Sequence, residues 1–431
     1  MPDILLRGGR VIDPVRELDA QADVLVTDGK IARIEHGLAA PGKDVKVVEV
    51  KDCWVVPGLI DLHVHLREPG QEYKESIESG TAAAAAGGFS AVCCMPNTVP
   101  PNDTRAVTEL IMQRAAEVGV VRVYPIGCIT QGQKGENMAE MGELQEAGCV
   151  AVSDDGHAVM NSEVMRRALE YAASFRLPLV QHCEDSALSA GGAMHEGVAS
   201  TRFGIRAHPA AAESALLARD LELVALTGAR YHMAHISCLE SVRLIRDAKQ
   251  RGLPVTCEVT PHNLMLTDEA CAGYDTRFKM YPPLRSAADQ AALREALADG
   301  TIDAIATDHA PHSSVEKEVE FEQAANGVIG LETALAVAVE LLDAGVLTPA
   351  KLVARLSAGP AKVLGLPGGS LAPGRPADVT VIDPQATWTC DPARFRSKAR
   401  NTPFGGRIMH GRPVLTVVGG KIVFSDEKLV G

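Results

Sequence analysis

The chain predicts an α/β fold: a (β/α)8 TIM barrel carrying a small β-sandwich built from both termini. Three observations predict it. The middle of the sequence repeats one unit eight times, an apolar strand-like run followed by an amphipathic or Ala-rich segment, and alternation of that kind builds a closed parallel sheet. No glycine-rich phosphate loop follows the first run, as the competing open, doubly wound sheet would require. The two ends of the chain break the pattern with short β-branched runs and turn dipeptides. The expected division is 1–55 and 363–431 for the two parts of the sandwich and 56–362 for the barrel.

In chain order, "DILLRGGRVIDPVRELDAQADVLVTDGKIARIE" opens with β-branched alternation broken by Asp-Gly, a hairpin signal. The eight barrel runs are "VVPGLIDLHVHL", "FSAVCCMPN", "VRVYPIGCIT", "CVAVSDDG", "LPLVQHCED", "ARYHMAHIS", "LPVTCEVTPH" and "IDAIATDHAPH". Helices are expected between them, for example in "ESIESGTAAAAAGG" after the first and "AAESALLARDLELVALTG" after the fifth. The segments "ADVTVIDPQATWTC" and "GRPVLTVVGGKIVF" close the chain with strand alternation and a Gly-Gly turn. Each terminal piece alone is too small to be stable, so the two are expected to pair.

Bulk properties narrow the function. A length of 431 residues with 46% hydrophobic content supports a large core, and no run approaches the ~18 apolar residues of a membrane span. The N-terminus lacks the basic-then-apolar layout of a signal peptide. Ten cysteines are scattered without CxxC pairing and sit in apolar runs, which suits a reducing compartment, so the cytoplasm is expected. A net charge of -13 disfavours nucleic acid and anionic membranes as partners. An anionic substrate would need local positive charge.

The chemistry falls where barrel enzymes keep their active sites, because nearly every run ends in His, Asp, Asn or Glu at its C-terminal tip. In "DLHVHLR" a period of two puts Asp61, His63, His65 and Arg67 on one face of a buried strand, where unpaired polar groups are costly. One HxH pair alone is better explained by a satisfied structural pair. His182 in "QHCED", His235 in "AHIS" and Asp308 in "TDHAPH" change that, since four imidazoles and a carboxylate then converge on one barrel mouth. Four imidazoles exceed what one catalytic zinc with an open position takes, so two metals are expected, with an anion between them. Strand four offers Asp154 and Asp155 on opposite faces, and the spacing does not say which looks inward.

The stretches "DLHVHLREPG", "MPNT", "SDDG", "QHCED", "AHIS", "TPHNL", "PPLR" and "ATDHAPH" together resemble dihydroorotases of the amidohydrolase superfamily, in their larger bacterial class, and the likeness runs over the whole chain. It implies a cytoplasmic enzyme of pyrimidine synthesis that interconverts N-carbamoyl-L-aspartate and L-dihydroorotate. It also implies two zinc ions: His63, His65 and Asp308 on one, His182 and His235 on the other, and Asp155 with a hydroxide between them. Asp308 would carry the proton between water and the leaving ring nitrogen, and Arg67, Asn97 and His312 would hold the substrate. A homodimer is expected, and association with aspartate carbamoyltransferase is a possible further partnership. Hydantoinases, allantoinases and animal dihydroorotases resemble this pattern but carry a carboxylated lysine on strand four, which "GCVAVSDDGHAV" lacks.

Two departures touch the substrate pocket. Tyr281 stands where the family often has Asn before "PPLR", and Ala325, Asn326 and Gly327 replace the usual Pro-Phe-Gly before "GLET". His309 should point away from the barrel interior, while His157, His262 and Glu184 lie near the mouth without a role; His36, His195, His208, His232 and His410 read as ordinary structural histidines. The stretches 156–161 and 313–326 are candidate lids. The rivals are a hydantoinase- or allantoinase-type hydrolase, or a non-catalytic subunit of an aspartate carbamoyltransferase complex.

Overall fold

The structure, a computed structural model, describes residues 3–42 and 44–426; the ends of the two terminal segments, 1–2 and 427–431, lie outside the described residues. Eight parallel strands form the barrel in sequential order: Leu59–Val64, Phe89–Cys94, Arg122–Gly127, Ala151–Ser153, Leu179–Gln181, Tyr231–Met233, Val255–Val259 and Ala304–Ile305. All eight runs read from the sequence supply one barrel strand each. A helix follows every strand, from Ile77–Ala86 after the first to Ala334–Asp343 after the eighth. Ser76 starts the first helix by accepting a hydrogen bond from Ser79 N, and its Ala-rich body lets it lie close against the barrel wall.

The barrel closes between its last and first strands through backbone and one buried acid. His65 N donates to His309 O at 2.9 Å, and Val64 bridges His309 in parallel. Beside them Thr307 N donates to Asp61 Oδ1 at 3.0 Å, and His63 N donates to the same oxygen at 3.1 Å. The pairing of the first strand shifts register between Asp61 and Val64. Ile60 and Leu62 therefore pack with Ala91, Cys93, Ile126 and Ala151 inside the strand ring, while Leu59 and Val64 pack outward with Phe89 and Val92.

This shift corrects the expected polar stripe. Asp61 leaves the face of His63 and His65 and is spent on the closing seam, where burial pushes its carboxyl up to about 7. The strand ends at Val64, so Arg67 reaches the mouth through a turn with φ +61° rather than along the strand.

The run "VVPGLIDLHV" serves two sheets. Trp54–Pro57 joins a second sheet, and the chain crosses into the barrel at Gly58, where a Cβ would lie 2.2 Å from Ser90 Oγ. That second sheet runs in the order Lys421–Ser425, Ile408–Val418, Val379–Thr389, Trp54–Pro57, Ile4–Asp13, Leu18–Thr27, Lys30–Glu35, with Lys46–Glu49 also on Ile4–Asp13. Val379 opposite Pro57 and Arg10 opposite Trp54 join the chain's two ends in one composite β-domain. Asp28-Gly29 and Gly419-Gly420 form its two-residue hairpin turns, all four with positive φ as turns matched to strand twist demand. No helix among the described residues is long and apolar enough to cross a membrane.

Asp61→Ala leaves two buried N–H groups without an acceptor at the seam. It is expected to cost about 2–4 kcal/mol, read by chemical denaturation, with Asp61→Asn costing less; an unchanged midpoint for Asp61→Ala would show that the seam does not hold the barrel shut.

Candidate active site

The strand tips deliver six side chains to one point. His63 and His65 flank Val64 at the end of the first strand; Asp155 follows the fourth, His182 the fifth, His235 the sixth and Asp308 the eighth. Asp155 lies at the centre. His63 Nε2 is 3.3 Å from its Oδ1, His235 Nε2 is 3.6 Å and His182 Nδ1 is 4.0 Å from that atom, and His65 Nε2 is 3.5 Å from its Oδ2. Asp308 Oδ1 lies 3.0 Å from His65 Nε2 and 3.5 Å from His63 Nε2. All six side chains are buried.

Which acid faces inward is decided by the third strand's loop. Asp154 Oδ1 accepts from Ile129 N at 2.8 Å and Thr130 N at 3.0 Å, and Thr130 Oγ1 donates to its Oδ2, so this carboxylate is fully used in fastening two loops. Asp155 is left to turn into the barrel. His235, Asp308 and Arg67 adopt φ of +31°, +47° and +61°, conformations that L-residues with bulky side chains rarely take and that concentrate at functional sites.

The outward nitrogens of three rings are already committed. His63 Nδ1 donates to Glu258 Oε1 at 2.8 Å, His65 Nδ1 to Asn97 Oδ1 at 2.9 Å, and His182 Nε2 to Glu184 Oε2 at 3.0 Å. An acceptor on one nitrogen fixes the proton there and turns the lone pair of the other inward, an arrangement typical of imidazoles that ligate metals. His182 Nδ1 then meets His235 Nε2 at 2.9 Å, and His63 Nε2 and Asp155 Oδ1 are buried without any hydrogen-bond partner. Facing lone pairs and carboxylate oxygens repel unless a proton or a metal cation lies between them.

His63, His65 and Asp155 form one group of mutually close donor atoms, and Asp155, His182 and His235 another, sharing the carboxylate. The donors are imidazole and carboxylate, a set that suits zinc and its neighbours. The residues fit a metal centre.

Charge follows the same geometry. Burial alone would raise the Asp155 and Asp308 carboxyls, but His63 beside both and His65 beside Asp308 hold them below the usual range, Asp155 far below. Burial would also raise Glu258, yet His232 Nε2 at 3.2 Å and His63 hold it down to about 2. Glu184 is held low by His182 despite burial.

A cleft of about 250 Å³ opens above the cluster, lined by His65, Arg67, Asn97, Tyr281, His312 and Gly327 among others. Arg67 Nε donates to Pro311 O at 3.2 Å, and among the described residues its two terminal Nη groups make no hydrogen bond or ion pair. Arg67 is only 8% exposed and lines the cleft, so its free fork lies within the protein there. His312 donates from Nε2 to Asn326 O at 2.7 Å; burial and nearby Arg67 push its pKa down to about 3, so it is neutral, and its buried Nδ1 lies 3.9 Å from Glu316 Oε2. Asn97 reaches the cleft and orients His65 as well.

Sequence reasoning left Glu184 without a role and passed over Glu258, each the acceptor of a clustered imidazole. Glu258 sits mid-strand in "TCEVT", where a charged residue in an apolar run is the one available signal. Tyr281, noted only as a departure, stacks on His182 with ring centroids 5.8 Å apart and donates to Glu184 Oε1 at 2.5 Å. His232, read as ordinary, shares Glu258 with His63. His309 turns to Glu75 Oε2 at 3.3 Å, away from the cluster.

A family model described as dihydro-orotase-like matches residues 53–241. The chain is 57% identical over 431 residues to the dihydroorotase of Anaeromyxobacter dehalogenans, covering 99% of both. It is 52% identical over 424 residues to that of Syntrophus aciditrophicus, covering 98% of this chain and 100% of the relative. Among solved structures it is similar to the L-hydantoinase (dihydropyrimidinase) from Arthrobacter aurescens, with a TM-score of 0.89 and 27% identity across 99% of this chain and 96% of that one.

Glu258→Gln keeps the shape but weakens the acceptor that fixes the His63 tautomer. Divalent-cation affinity, measured by competition with a chromogenic chelator, is expected to fall about 10- to 100-fold; unchanged affinity would mean that Glu258 serves packing alone.

Proposed function

The chain belongs to the dihydroorotase family, and from that premise we propose how its own residues interconvert N-carbamoyl-L-aspartate and L-dihydroorotate. It is a cyclic amidohydrolase: relatives at 52–57% identity over nearly the full length are named dihydroorotase, whereas the hydantoinase likeness is at 27% identity and speaks for the shared fold. The observation that carries the substrate assignment is the unpaired, buried fork of Arg67 beside the cluster. A planar guanidinium with free N–H groups binds a carboxylate through two parallel hydrogen bonds, and a neutral hydantoin ring offers none.

His63, His65 and Asp308 would hold one divalent cation, His182 and His235 a second, and Asp155 would lie between them. Such ions, zinc by donor chemistry, supply Lewis acidity that polarises the ring carbonyl and makes water acidic near pH 7. Asp308, 3.0 Å from His65 and open to the cleft, takes the proton of the attacking water and returns it to the ring nitrogen as the carbon–nitrogen bond breaks. Arg67, Asn97 and His312, which line the cleft, hold the substrate's carboxylate and ring. Ring closure runs the same transfers backward and consumes one proton, so acid favours it.

Asp155 in the central position, with no lysine in the cluster, supports the larger bacterial class. The gathering of all six candidates supports a catalytic rather than a scaffolding chain. We also propose a cytoplasmic homodimer, to which ten unpaired thiols, nine of them buried, are suited, and docking to aspartate carbamoyltransferase, read by sizing the chain with and without that enzyme.

Purified protein is expected to open dihydroorotate faster than any neutral hydantoin; the reverse order would overturn the substrate assignment. Arg67→Met should lower kcat/KM for dihydroorotate at least about thirtyfold, the low end of the cost of stripping a buried charge from its partner. Asp155→Ala should abolish activity and reduce bound zinc by elemental analysis, while full zinc with retained activity would remove Asp155 from the bridging place.

A further inference from the structure

One rim of the cleft is held by an unusual device. Lys317 ends the short helix Ser314–Lys317 and is only 5% exposed. Its Nζ donates to Ala325 O at 2.8 Å, Gly327 O at 3.1 Å and Lys279 O at 3.2 Å. Lys279, equally buried, donates from Nζ to Ala324 O at 2.7 Å and Glu322 O at 2.9 Å. Among the described residues neither ammonium makes an ion pair. Two buried amines are thus satisfied by five backbone carbonyls, all but one of them in the loop 318–327, and burial beside Lys279 pushes the Lys317 pKa down to about 7.

Burying an ammonium without a counter-ion is expensive, and a carbonyl turned inward is equally costly without a donor. Packing alone would be served better by an apolar residue. What the ammonium adds is a three-way knot, because its three N–H groups draw carbonyls from the strand-seven loop and from both sides of Asn326 to one point. The knot sits directly behind the cleft: Asn326 O accepts from His312 Nε2 at 2.7 Å, and Asn326 and Gly327 line the wall. Gly327 O accepts also from Asn401 Nδ2 at 3.1 Å, and Asn401 Oδ1 accepts from His312 N at 3.2 Å. Gly327 itself has φ +124°, and a Cβ there would lie 2.6 Å from Ala310 Cβ, so only glycine fits this backbone.

We propose that Lys317 is a positioning residue for substrate binding: its buried ammonium fixes the 325–327 backbone and, through Asn326 O, the tautomer and place of His312 at the cleft. The inference rests on the dihydroorotate reading for its substrate. It concerns how tightly the ring is held, not how fast it opens, since Lys317 touches no residue of the metal-ready cluster.

The test compares Lys317→Met, Lys279→Met and wild type, with zinc content and melting temperature measured for each. Lys279 ties the outer loop, at Glu322 and Ala324, so it controls for general loosening. Lys317→Met is expected to raise KM for dihydroorotate about tenfold with kcat within about threefold, and to speed amide hydrogen exchange at Ala325 and Gly327. Lys279→Met should move KM less than about threefold at a similar loss of stability. The His312→Ala and Lys317→Met effects on KM should be less than additive when combined, since both act through one group. Equal KM in all three proteins, or equal increases in both lysine variants, would overturn the proposal. If Lys317→Met does not fold, Asn401→Ala, which removes the other donor to Gly327 O, carries the same expectations. Hydrogen exchange reads the knot without turnover, so a wild type that fails to open dihydroorotate sinks the substrate reading and leaves the positioning claim separately testable.

Discussion

His182 Nδ1 and His235 Nε2 stand 2.9 Å apart, and His63 Nε2 stands 3.3 Å from Asp155 Oδ1 and 3.5 Å from Asp308 Oδ1. Such closeness is stabilised by positive charge in the middle, a shared proton or a bound cation. The rings cannot relieve it by turning, because Glu258, Asn97 and Glu184 hold the far side of three of them. These three acceptors select the tautomer whose lone pair points inward. They prepare the site for cations, and every chemical role proposed for the cleft depends on that preparation.

The fold makes the crowding affordable. Parallel strands all point the same way, so residues just past their C-terminal ends meet at one mouth although they lie as far apart in sequence as His63 and Asp308. Chain continuity is strained where it must be: the positive φ values at Arg67, His235 and Asp308 show the backbone turning side chains inward that the strand direction would not deliver. Asp61 offsets part of that cost by closing the ring beneath the site. The connection between strands Val379–Thr389 and Ile408–Val418 of the terminal sheet also packs on the barrel, through Asn401 against His312 and Gly327 and through Ser397 and Lys398 against Glu75.

Positive charge at the cleft is sparing and specific, as it must be in a chain of net charge -13. Arg67 keeps its Nη groups free, whereas Lys317 and Lys279 spend theirs on carbonyls. The first can meet an anion and the others can only shape the wall around it. Tyr281 joins the same economy, since its hydroxyl and ring brace Glu184 and His182 at the edge of the cleft.

Much of this was legible along the chain. Eight apolar runs with polar tips specify a parallel barrel because strand periodicity and burial are local properties, and turn dipeptides such as Asp28-Gly29 specify hairpins for the same reason. The tips also name the residue types that meet at the mouth. Spacing alone could not choose between Asp154 and Asp155, because the choice is made by Ile129 and Thr130 in the loop after the neighbouring third strand. It could not show that a register shift removes Asp61 from the stripe of His63, or that Glu258, Glu184, Tyr281 and Lys317 stand behind the cleft. Each of those depends on which groups come within about 3 Å after folding, and a one-dimensional pattern carries side-chain direction without carrying distance.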